Sequence, residues 1–255
     1  MDLVRYEYQG EIRHGIREGD DVAEIAGDFF GDLRPTGAIA SLSDVRLKAP
    51  TMPTKILNLA GNYYSHMGDT PPFTRPQPFL APPSSVLDPG DDIVIPAGSI
   101  HVDYEGEIAV IIGKRACKVS VSEAPSCILG ICPANDVSER DWQGGGDKDA
   151  QWWRAKGGDT FSPFGPWITT GLNYRDINLK TLVNGRTVQE SNTKADMVHD
   201  IDTSLSFISQ FMTLEPGDVI FSGTPQTTQA LKPGDVVEVH VDGCGVLSNP
   251  VVAEK

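Results

Sequence analysis

The sequence lacks long apolar runs and is poor in basic residues. No stretch approaches the roughly 20 apolar residues that a membrane-spanning helix needs. Lysine and arginine number 21 against 35 aspartates and glutamates, so the formal net charge is −14 at pH 7. This charge repels phosphate backbones and anionic lipid headgroups, and we expect neither nucleic acid nor a membrane as a partner. An anionic substrate is still compatible with it, because a bound metal ion can reverse the sign of the local field.

Cysteine is also scarce. The 255 residues include four cysteines and no C-x-x-C pair, so we expect neither a cysteine-ligated metal nor a disulfide scaffold. The first six residues lack the charged and apolar regions of a secretory signal. We therefore expect reduced thiols and a cytoplasmic protein. A chain of this length suits one large domain, or a main domain with a small appendage.

Short alternating segments separated by turns dominate the chain. They are dense over residues 1–50, and prolines at positions 50 and 53 then mark a junction. Only Asp202–Met212 carries a clear helical period. The sequence predicts an α+β, β-rich fold: a mixed barrel or roll over residues 51–255, with a small β-rich N-terminal cap over residues 1–50.

Two loops carry specific signals. Asn184-Gly185 stands between two strand-like segments and predicts a two-residue hairpin turn. Residues 61–83 form a polar, proline-rich passage. A passage of this length without periodicity is either a functional lid or a linker.

Two glutamates, Glu105 and Glu107, stand at the start of the apolar run Ile108–Ile112. Residues two apart in a strand point to the same face, so both carboxylates would enter one small volume. A hard divalent cation relieves such a pair, and Asp136, which follows another apolar segment, is the best third ligand. Two alternatives stay open from these residues alone: an edge strand with two solvated glutamates, and a helix N-cap at Asp136.

Three further side chains could carry chemistry. His66 could act as a general base if Asp69, three residues on, orients it; the alternative is an exposed loop histidine. Lys156 lies between tryptophans and glycines, where partial burial would let it hold a substrate oxygen; the alternative is a surface lysine. Thr224 follows a strand, and its hydroxyl with nearby backbone N–H groups could bind an anionic oxygen.

Five segments stand in an order and spacing that one enzyme family also shows. They are Asn62-Tyr63-x-x-His66, Asp103-Tyr104-Glu105-Gly106-Glu107, Asn135 to Asp141, Lys156 to Pro166, and Phe211 to Pro225. One such segment is weak evidence, whereas five in order are strong evidence. Over residues 55 to 252 the chain resembles the fumarylacetoacetate hydrolase family.

The resemblance implies a β-rich fold special to this family, a homodimer, and an enzyme that acts on a small 2-oxo acid. It implies a Mg²⁺ or Mn²⁺ ion held by Glu105, Glu107 and Asp136, which binds the 1-carboxylate and 2-oxo oxygens of the substrate. The catalytic residues that it implies are His66, Asp69 and Lys156. The substrate-binding residues that it implies are Asn62, Tyr63, Arg140, Gln143 and Thr224.

The reaction implied by the resemblance is hydrolytic cleavage of a C–C bond in an acylpyruvate-type 1,3-diketo acid. Isomerisation of a 2-hydroxy-dienoate, as in aromatic catabolism, and decarboxylation of an oxaloacetate-like acid are alternatives, since all pass through an enolate. A non-catalytic module that binds 2-oxo acids is a further alternative from a different class.

The chain departs from the family pattern at several positions. Asp69 replaces a usual glutamate and is one methylene shorter, which implies a looser pairing with His66. Gly157-Gly158 replaces a usual Ser-Phe, which implies a roomier pocket. Gln226 to Gln229 is more polar than the usual glycine-rich segment, which implies a different distal part of the substrate.

Overall fold

The computed structural model describes all 255 residues and consists mainly of strands. The strands are β1 Asp2–Tyr8, β2 Glu11–Glu18, β3 Asp21–Ala26, β4 Arg34–Ser41, β5 Arg46–Leu47, β6 Ile56–Leu59, β7 Pro78–Ala81, β8 Val86–Leu87, β9 Ile93–Ile95, β10 Val102–Asp103, β11 Gly106–Ile112, β12 Ile128–Asn135, β13 Ser138–Glu139, β14 Ser162–Pro163, β15 Ile168–Thr169, β16 Asn178–Val183, β17 Arg186–Asn192, β18 Val219–Phe221, β19 Val236–Val241 and β20 Val246–Ala253. The α-helices are α1 Tyr64–Met67, α2 Arg140–Gly144, α3 Trp153–Gly157, α4 Thr193–Asp196 and α5 Ile201–Ser209. The predicted α+β, β-rich class is confirmed.

The larger sheet contains eleven strands in the order β4-β3-β2-β1-β15-β12-β11-β18-β6-β7, with β5 paired to β1. Most neighbours are antiparallel, but β18 and β6 run parallel, so the sheet is mixed. Strand β11 lies in its interior and every residue of it is buried. A strand covered on both faces has a nearly continuous apolar sequence, which accounts for the run Ile108–Ile112.

The smaller sheet contains five strands in the order β17-β16-β19-β20-β9. Its strands β16 and β19 lie against β11 and β12 of the larger sheet. Leu179 and Val241 pack there with Ile108 and Val110 in one hydrophobic cluster. Full burial of one such side chain contributes about 1.5–3 kcal/mol. No strand pairing closes either sheet into a barrel. The smaller sheet packs on the larger one and covers one face of β11.

The hairpin predicted at Asn184-Gly185 is confirmed. Strand β16 ends at Val183 and β17 begins at Arg186, so the loop contains two residues. Both of them have positive φ, 52° for Asn184 and 75° for Gly185. This combination is the one that a two-residue turn of the primed type requires, and Asn-Gly tolerates it best.

The first fifty residues are strand-rich, as predicted, but their strands continue the larger sheet. Strand β1 pairs with β15, with Leu3 opposite Ile168. Leu3, Ile25 and Phe29 belong to the same hydrophobic cluster as Ile168 and Ala109 of the interior strands. The two parts of the chain therefore share one core, and their division into two domains at residue 50 stays a prediction.

The predicted helix over Asp202–Met212 is α5, which has different ends. It begins at Ile201 because the Asp200 side chain caps it, accepting a hydrogen bond from the Thr203 N–H at 2.7 Å. It ends at Ser209. Leu205, Ile208 and Met212 pack against the main core as predicted, but Phe211 is 81% exposed, so its placement on the apolar face is wrong. This nine-residue helix is the longest, and none of the helices could cross a bilayer.

Candidate active site

The three acidic residues of the predicted cation site converge because they sit on neighbouring strands. Glu105 directly precedes β11, Glu107 is the second residue of β11, and Asp136 directly follows β12. The two strands are antiparallel with Glu107 opposite Ala134, and the Asp136 N–H donates to the Glu105 carbonyl oxygen at 3.0 Å. Paired strands lie about 4.8 Å apart. The three carboxylates each place an oxygen within 4.8 Å of the others.

The structure excludes both alternatives for these residues. Glu105, Glu107 and Asp136 are only 5%, 1% and 1% exposed, so they are not solvated side chains at a sheet edge. The helix after Asp136, α2, has Glu139 as its N-cap, and that side chain accepts from the Trp142 N–H at 2.6 Å. Asp136 therefore caps no helix and is directed into the interior.

Burial acts to raise the pKa of all three acids, and the neighbouring charges shift the individual pKa values in different directions. Burial raises the pKa of Glu107 well above its usual range, and the charges of Asp136 and Glu105 raise it further. Burial also raises the pKa of Asp136, although the Lys156 ammonium opposes the rise. Burial works in the same direction on Glu105, but Lys156 and Arg140 outweigh it and lower the pKa of that carboxyl. The cluster therefore has more negative charge than its two cations relieve.

The chemistry of this cluster fits a divalent cation. Three buried carboxylates supply the hard oxygen ligands that Mg²⁺ and Mn²⁺ prefer. Asp136 Oδ1 is buried and has no hydrogen-bond partner, although buried carboxylate oxygens nearly always have one. A cation bound here would satisfy this oxygen and relieve the repulsion that raises the pKa of Glu107.

Binding of such a cation should stabilise the fold measurably. At 100 times its dissociation constant, a ligand specific for the native state adds about 2.7 kcal/mol, or roughly 5–10 °C in Tm for a chain of this size. We expect this rise when Mg²⁺ or Mn²⁺ is added to chelator-treated protein, measured by calorimetry. Sodium chloride at matched ionic strength is the control. A Tm that stays constant up to millimolar Mn²⁺ would contradict a cation site.

Lys156 lies inside the cluster and is not a surface residue. It belongs to α3, is 2% exposed, and its Nζ donates to Glu105 Oε2 at 2.5 Å and to Asp136 Oδ2 at 2.7 Å. Burial would lower the pKa of Lys156, but the carboxylates of Asp136 and Glu105 outweigh it and raise the value. The side chain is therefore an ammonium, and two of its three N–H bonds are engaged.

Arg140, at the start of α2, connects the acidic cluster to Asp103, Gln143 and Thr228. Its Nε donates to Asp103 Oδ2 at 2.7 Å and its Nη2 to Glu105 Oε1 at 2.6 Å. It also donates to Gln143 Oε1 and to Thr228 Oγ1, each at 2.7 Å. A guanidinium has five N–H donors, so these four bonds hold it firmly and leave one donor for a ligand.

The proline-rich passage contains the short helix α1 and covers the cluster. A cavity of about 60 Å³ lies beneath it. The cavity is lined by Leu59, Ala60, Gly61, His66, Glu105, Glu107, Arg140, Gln143, Lys156 and Thr224. Of the predicted site residues, His66, Lys156, Arg140, Gln143, Thr224 and the two glutamates thus meet at one cavity, while Asp136, Asn62, Tyr63 and Asp69 are absent from its lining.

Asn62 and Tyr63 make structural contacts, and their contact with a substrate stays a prediction. Asn62 is 2% exposed, and its amide donates to the carbonyl oxygens of Ser222 and His199 and accepts from the His199 N–H. Tyr63 is fully buried in the main core. The Asn-Tyr pair therefore attaches the passage to the rest of the fold, although the buried Tyr63 hydroxyl has no hydrogen-bond partner.

Asp69 does not lie beside His66. Helix α1 ends at Met67 because Gly68 adopts a positive φ of 55°, so the helical spacing that would align the two residues is not formed. Asp69 is exposed, and it has no hydrogen bond with His66. The His66 ring instead places Nδ1 2.5 Å from the carbonyl oxygen of Gln226.

Thr224 supports the strands around the cluster. Its hydroxyl donates to the Gly106 carbonyl oxygen at 3.0 Å and accepts from Gln189 Nε2 at 2.9 Å. The preceding Gly223 N–H donates to Glu107 Oε2 at 2.7 Å. The threonine side chain is thus engaged with protein groups, and the N–H next to it orients one carboxylate.

Gly106, between the two glutamates, leaves no room for a side chain. A Cβ at this position would meet Thr181 Oγ1 at 1.7 Å, whereas a Cβ at Gly144 would have nothing within 4 Å. Overpacking of a filled interior costs about 1–3 kcal/mol. We therefore expect Gly106→Ala to lower the free energy of unfolding by that amount in a denaturant titration, and Gly144→Ala to change it by less than about 0.5 kcal/mol. Equal effects of both variants would contradict the packing described.

Several residues that support the site are not among the predicted site residues. Asp103 had a signal, because it stands two residues before Glu105 on the same strand-like segment. Gln189 had none: it lies 83 residues after Gly106, whose N–H it accepts at 3.1 Å. Thr228, which donates to Asp103 Oδ2 at 2.5 Å, was visible only as part of a polar segment.

Comparison with known proteins agrees with this architecture. Residues 55–252 match the family model for the fumarylacetoacetate (FAA) hydrolase C-terminal region, and residues 1–50 match that for the Rv2993c-like N-terminal region. Protein Rv2993c of Mycobacterium tuberculosis is 44% identical over 236 residues, which is 90% of this chain and 87% of that protein.

Solved structures show the same fold at full length. A 5-carboxymethyl-2-hydroxymuconate delta-isomerase from Mycobacterium smegmatis is 41% identical with a TM-score of 0.93, and the match covers 100% of both chains. A maleylpyruvate hydrolase from Sphingobium, crystallised with manganese(II) and pyruvate, is 28% identical with a TM-score of 0.83, again over 100% of both chains. With its motifs, its fold and a family match over most of its length in agreement, this chain belongs to the fumarylacetoacetate hydrolase family.

Proposed function

We propose that the protein is a divalent-cation-dependent enzyme that hydrolyses a C–C bond of an acylpyruvate-type 2-oxo acid. The observation that carries this proposal is the buried trio of Glu105, Glu107 and Asp136, beside a cavity that the two glutamates line together with Lys156 and Arg140. The related maleylpyruvate hydrolase that was crystallised with manganese(II) and pyruvate supports the pairing of a divalent cation with a 2-oxo acid.

Glu105, Glu107 and Asp136 would hold Mg²⁺ or Mn²⁺, which would supply positive charge to the oxygens of the substrate. The third N–H of the Lys156 ammonium and the fifth N–H of the Arg140 guanidinium are not used by the protein. Both can donate to the carboxylate or to the 2-oxo oxygen. Fixed donors of this kind stabilise charge that develops on an oxygen during the reaction.

His66 is the histidine of the cavity lining, and an imidazole can both take up and release a proton during a reaction. In the hydrolysis, it takes a proton from a water molecule whose oxygen attacks the distal carbonyl carbon. The C–C bond between that carbon and C3 then breaks, and its electron pair stays on the pyruvate fragment as an enolate. Protonation at C3 completes the reaction, which yields pyruvate and a second carboxylate.

Isomerisation is the second candidate, and the 41% identical mycobacterial isomerase favours it. In that reaction His66 would take the proton of the 2-hydroxyl of a 2-hydroxy-2,4-dienoate and return one to C5. The C2–C3 and C4–C5 double bonds are then replaced by a 2-oxo group and a C3–C4 double bond, and no water attacks. The same cavity residues would hold the 1-carboxylate and the neighbouring oxygen.

A panel of 2-oxo acids tests the proposal and separates the two candidates. Chelator-treated protein is reloaded with Mg²⁺ or Mn²⁺ and assayed with acylpyruvates, a 2-hydroxy-dienoate and oxaloacetate, with ultraviolet absorbance and product analysis as readouts. Release of pyruvate from an acylpyruvate supports hydrolysis, and a shifted double bond without cleavage supports isomerisation. Tight oxalate binding with no turnover of any panel member would favour the non-catalytic module.

We also infer a cytoplasmic homodimer, as carried over from the family resemblance. Large apolar side chains that are exposed in the single chain support an interface, since Leu80, Trp153 and Phe211 are 53%, 66% and 81% exposed. Light scattering should give twice the mass of one chain.

A further inference from the structure

The contact of His66 with Gln226 determines which nitrogen of the ring can act. His66 Nδ1 lies 2.5 Å from the Gln226 carbonyl oxygen. A carbonyl oxygen only accepts, so in the neutral ring the proton must be on Nδ1 and the lone pair on Nε2. A histidine general base needs this arrangement, with one nitrogen anchored as a donor and the other free.

Gln226 is itself held in an unusual conformation. Its φ is 54°, a region that residues other than glycine adopt rarely. Two hydrogen bonds stabilise it: its N–H donates to Ser65 Oγ at 2.9 Å, and its side-chain Oε1 accepts from the Glu190 N–H at 3.0 Å. The direction of the carbonyl group that meets His66 therefore depends on these contacts.

Asp196 orients Ser65, the residue that accepts the hydrogen bond from the Gln226 N–H. Its Oδ1 accepts from the Ser65 N–H at 2.8 Å and its Oδ2 from the Ser65 hydroxyl at 2.5 Å. Because the hydroxyl proton goes to Asp196, a lone pair of the same oxygen is left for the Gln226 N–H. Ser191 adds a third hydrogen bond to this carboxylate at 2.7 Å. The contacts thus form one continuous relay from Asp196 through Ser65 and Gln226 to His66.

We propose that this relay positions His66 as the Nδ1–H tautomer, in the role that the sequence assigned to Asp69. The carboxylate of the relay, Asp196, lies 127 residues after Asp69 in the chain and acts through a serine and a backbone carbonyl. Ser65, Asp196 and Gln226 are positioning residues and touch no reacting atom. The inference deepens the proposed function, because it concerns the same histidine and rests on that residue acting as a base.

Nuclear magnetic resonance tests the relay without any substrate. The protein has five histidines, and two-bond ¹H–¹⁵N correlations distinguish the tautomers of each ring, with His66→Gln identifying the signal. We expect the Nδ1–H form for His66 in the wild type and a mixture of both forms in Ser65→Ala and Asp196→Asn. Ser65→Thr keeps the hydroxyl and should keep the wild-type tautomer. Ser122→Ala is the matched control, because Ser122 is an exposed serine whose side chain hydrogen-bonds to Ser120.

Steady-state kinetics adds a second readout, with a 2-oxo acid of the panel that the wild type converts. Ser65→Ala and Asp196→Asn should lower kcat about 10-fold with KM changed less than about 2-fold, and Ser65→Thr should restore kcat. The Nε2–H tautomer in the wild type, or an unchanged tautomer in both folded variants, would overturn the relay. So would an Asp69→Asn variant that alone mixes the tautomers. These outcomes differ from failure of the proposed function, in which no panel member turns over and the tautomer signals still report on the relay.

Discussion

Glu107→Gln is expected to lower kcat/KM for the preferred 2-oxo acid by about 10³-fold, the largest loss of any conservative change in the chain. The substitution keeps the shape of a buried side chain but removes one of three anionic ligand groups. Loss of the positive charge at the substrate oxygens would raise the barrier by several kcal/mol, and about 4 kcal/mol corresponds to that factor. Initial rates at saturating Mg²⁺ and Mn²⁺ measure it.

A second readout separates loss of cation binding from loss of the fold. Glu107→Gln should abolish the Tm rise that Mg²⁺ or Mn²⁺ gives, while the Tm without metal should not fall, because one source of repulsion has been removed. Glu18→Gln changes an exposed glutamate at the far end of β2 and should leave both readouts as in the wild type. Wild-type activity in Glu107→Gln would rule out the cation site.

Lys156→Met should have the next largest effect, on stability and activity together. The substitution removes the ammonium that bonds Glu105 and Asp136, which leaves Asp136 buried without a cation and Glu105 paired with Arg140 alone. Breaking a buried pair in this way costs about 3–5 kcal/mol, measured by denaturant titration of the metal-free protein. Loss of a fixed donor to the substrate oxygen should also lower kcat by about 10²–10³-fold.

The stability lost in Lys156→Met should depend on pH in a definite direction. The pKa values of Glu107 and Asp136 are raised in the folded protein, so the native state holds their protons more tightly than the unfolded chain does. For groups of this kind, stability falls as pH rises from the unfolded carboxyl value of about 4 toward the raised folded value. Without the lysine, the deficit should therefore be larger at pH 8 than at pH 5.

Mn²⁺ should reverse part of this deficit at pH 8, because the cation replaces the missing positive charge. Arg154→Met is the matched control, since Arg154 pairs with Asp147 and Asp149 at the surface, where such pairs contribute about 0–1 kcal/mol. A Lys156→Met variant as stable as the wild type at every pH would show that the lysine does not compensate the buried acids.

Local sequence patterns predicted where the acidic side chains of the site lie in their strands. The period of two places Glu105 and Glu107 on one face, and the end of an apolar segment places Asp136 near a strand terminus. Asn184-Gly185 specified its turn because only a few residue types tolerate positive φ at both positions. These features depend on interactions between residues that are close in the chain, so the sequence alone predicts them.

The tertiary structure decided which partners those groups have. The helical spacing that would pair Asp69 with His66 fails because Gly68 ends α1 after one turn. Asn62 and Tyr63 belong to a motif whose side chains the fold uses to anchor the passage over the cavity. Burial also decided that Lys156 is an interior ammonium, since the same sequence at a surface would leave it solvated.

What the sequence determined by itself was the strand-rich class, the Asn184-Gly185 turn and the shared face of Glu105 and Glu107. What only the tertiary structure decided was the register that brings β11 beside β12, the placement of Gln189 and Asp196 behind the site, and the carbonyl that meets His66. Local propensities act over a few residues along the chain. These contacts join residues up to 160 positions apart, and they follow from which strands pair and how the two sheets pack.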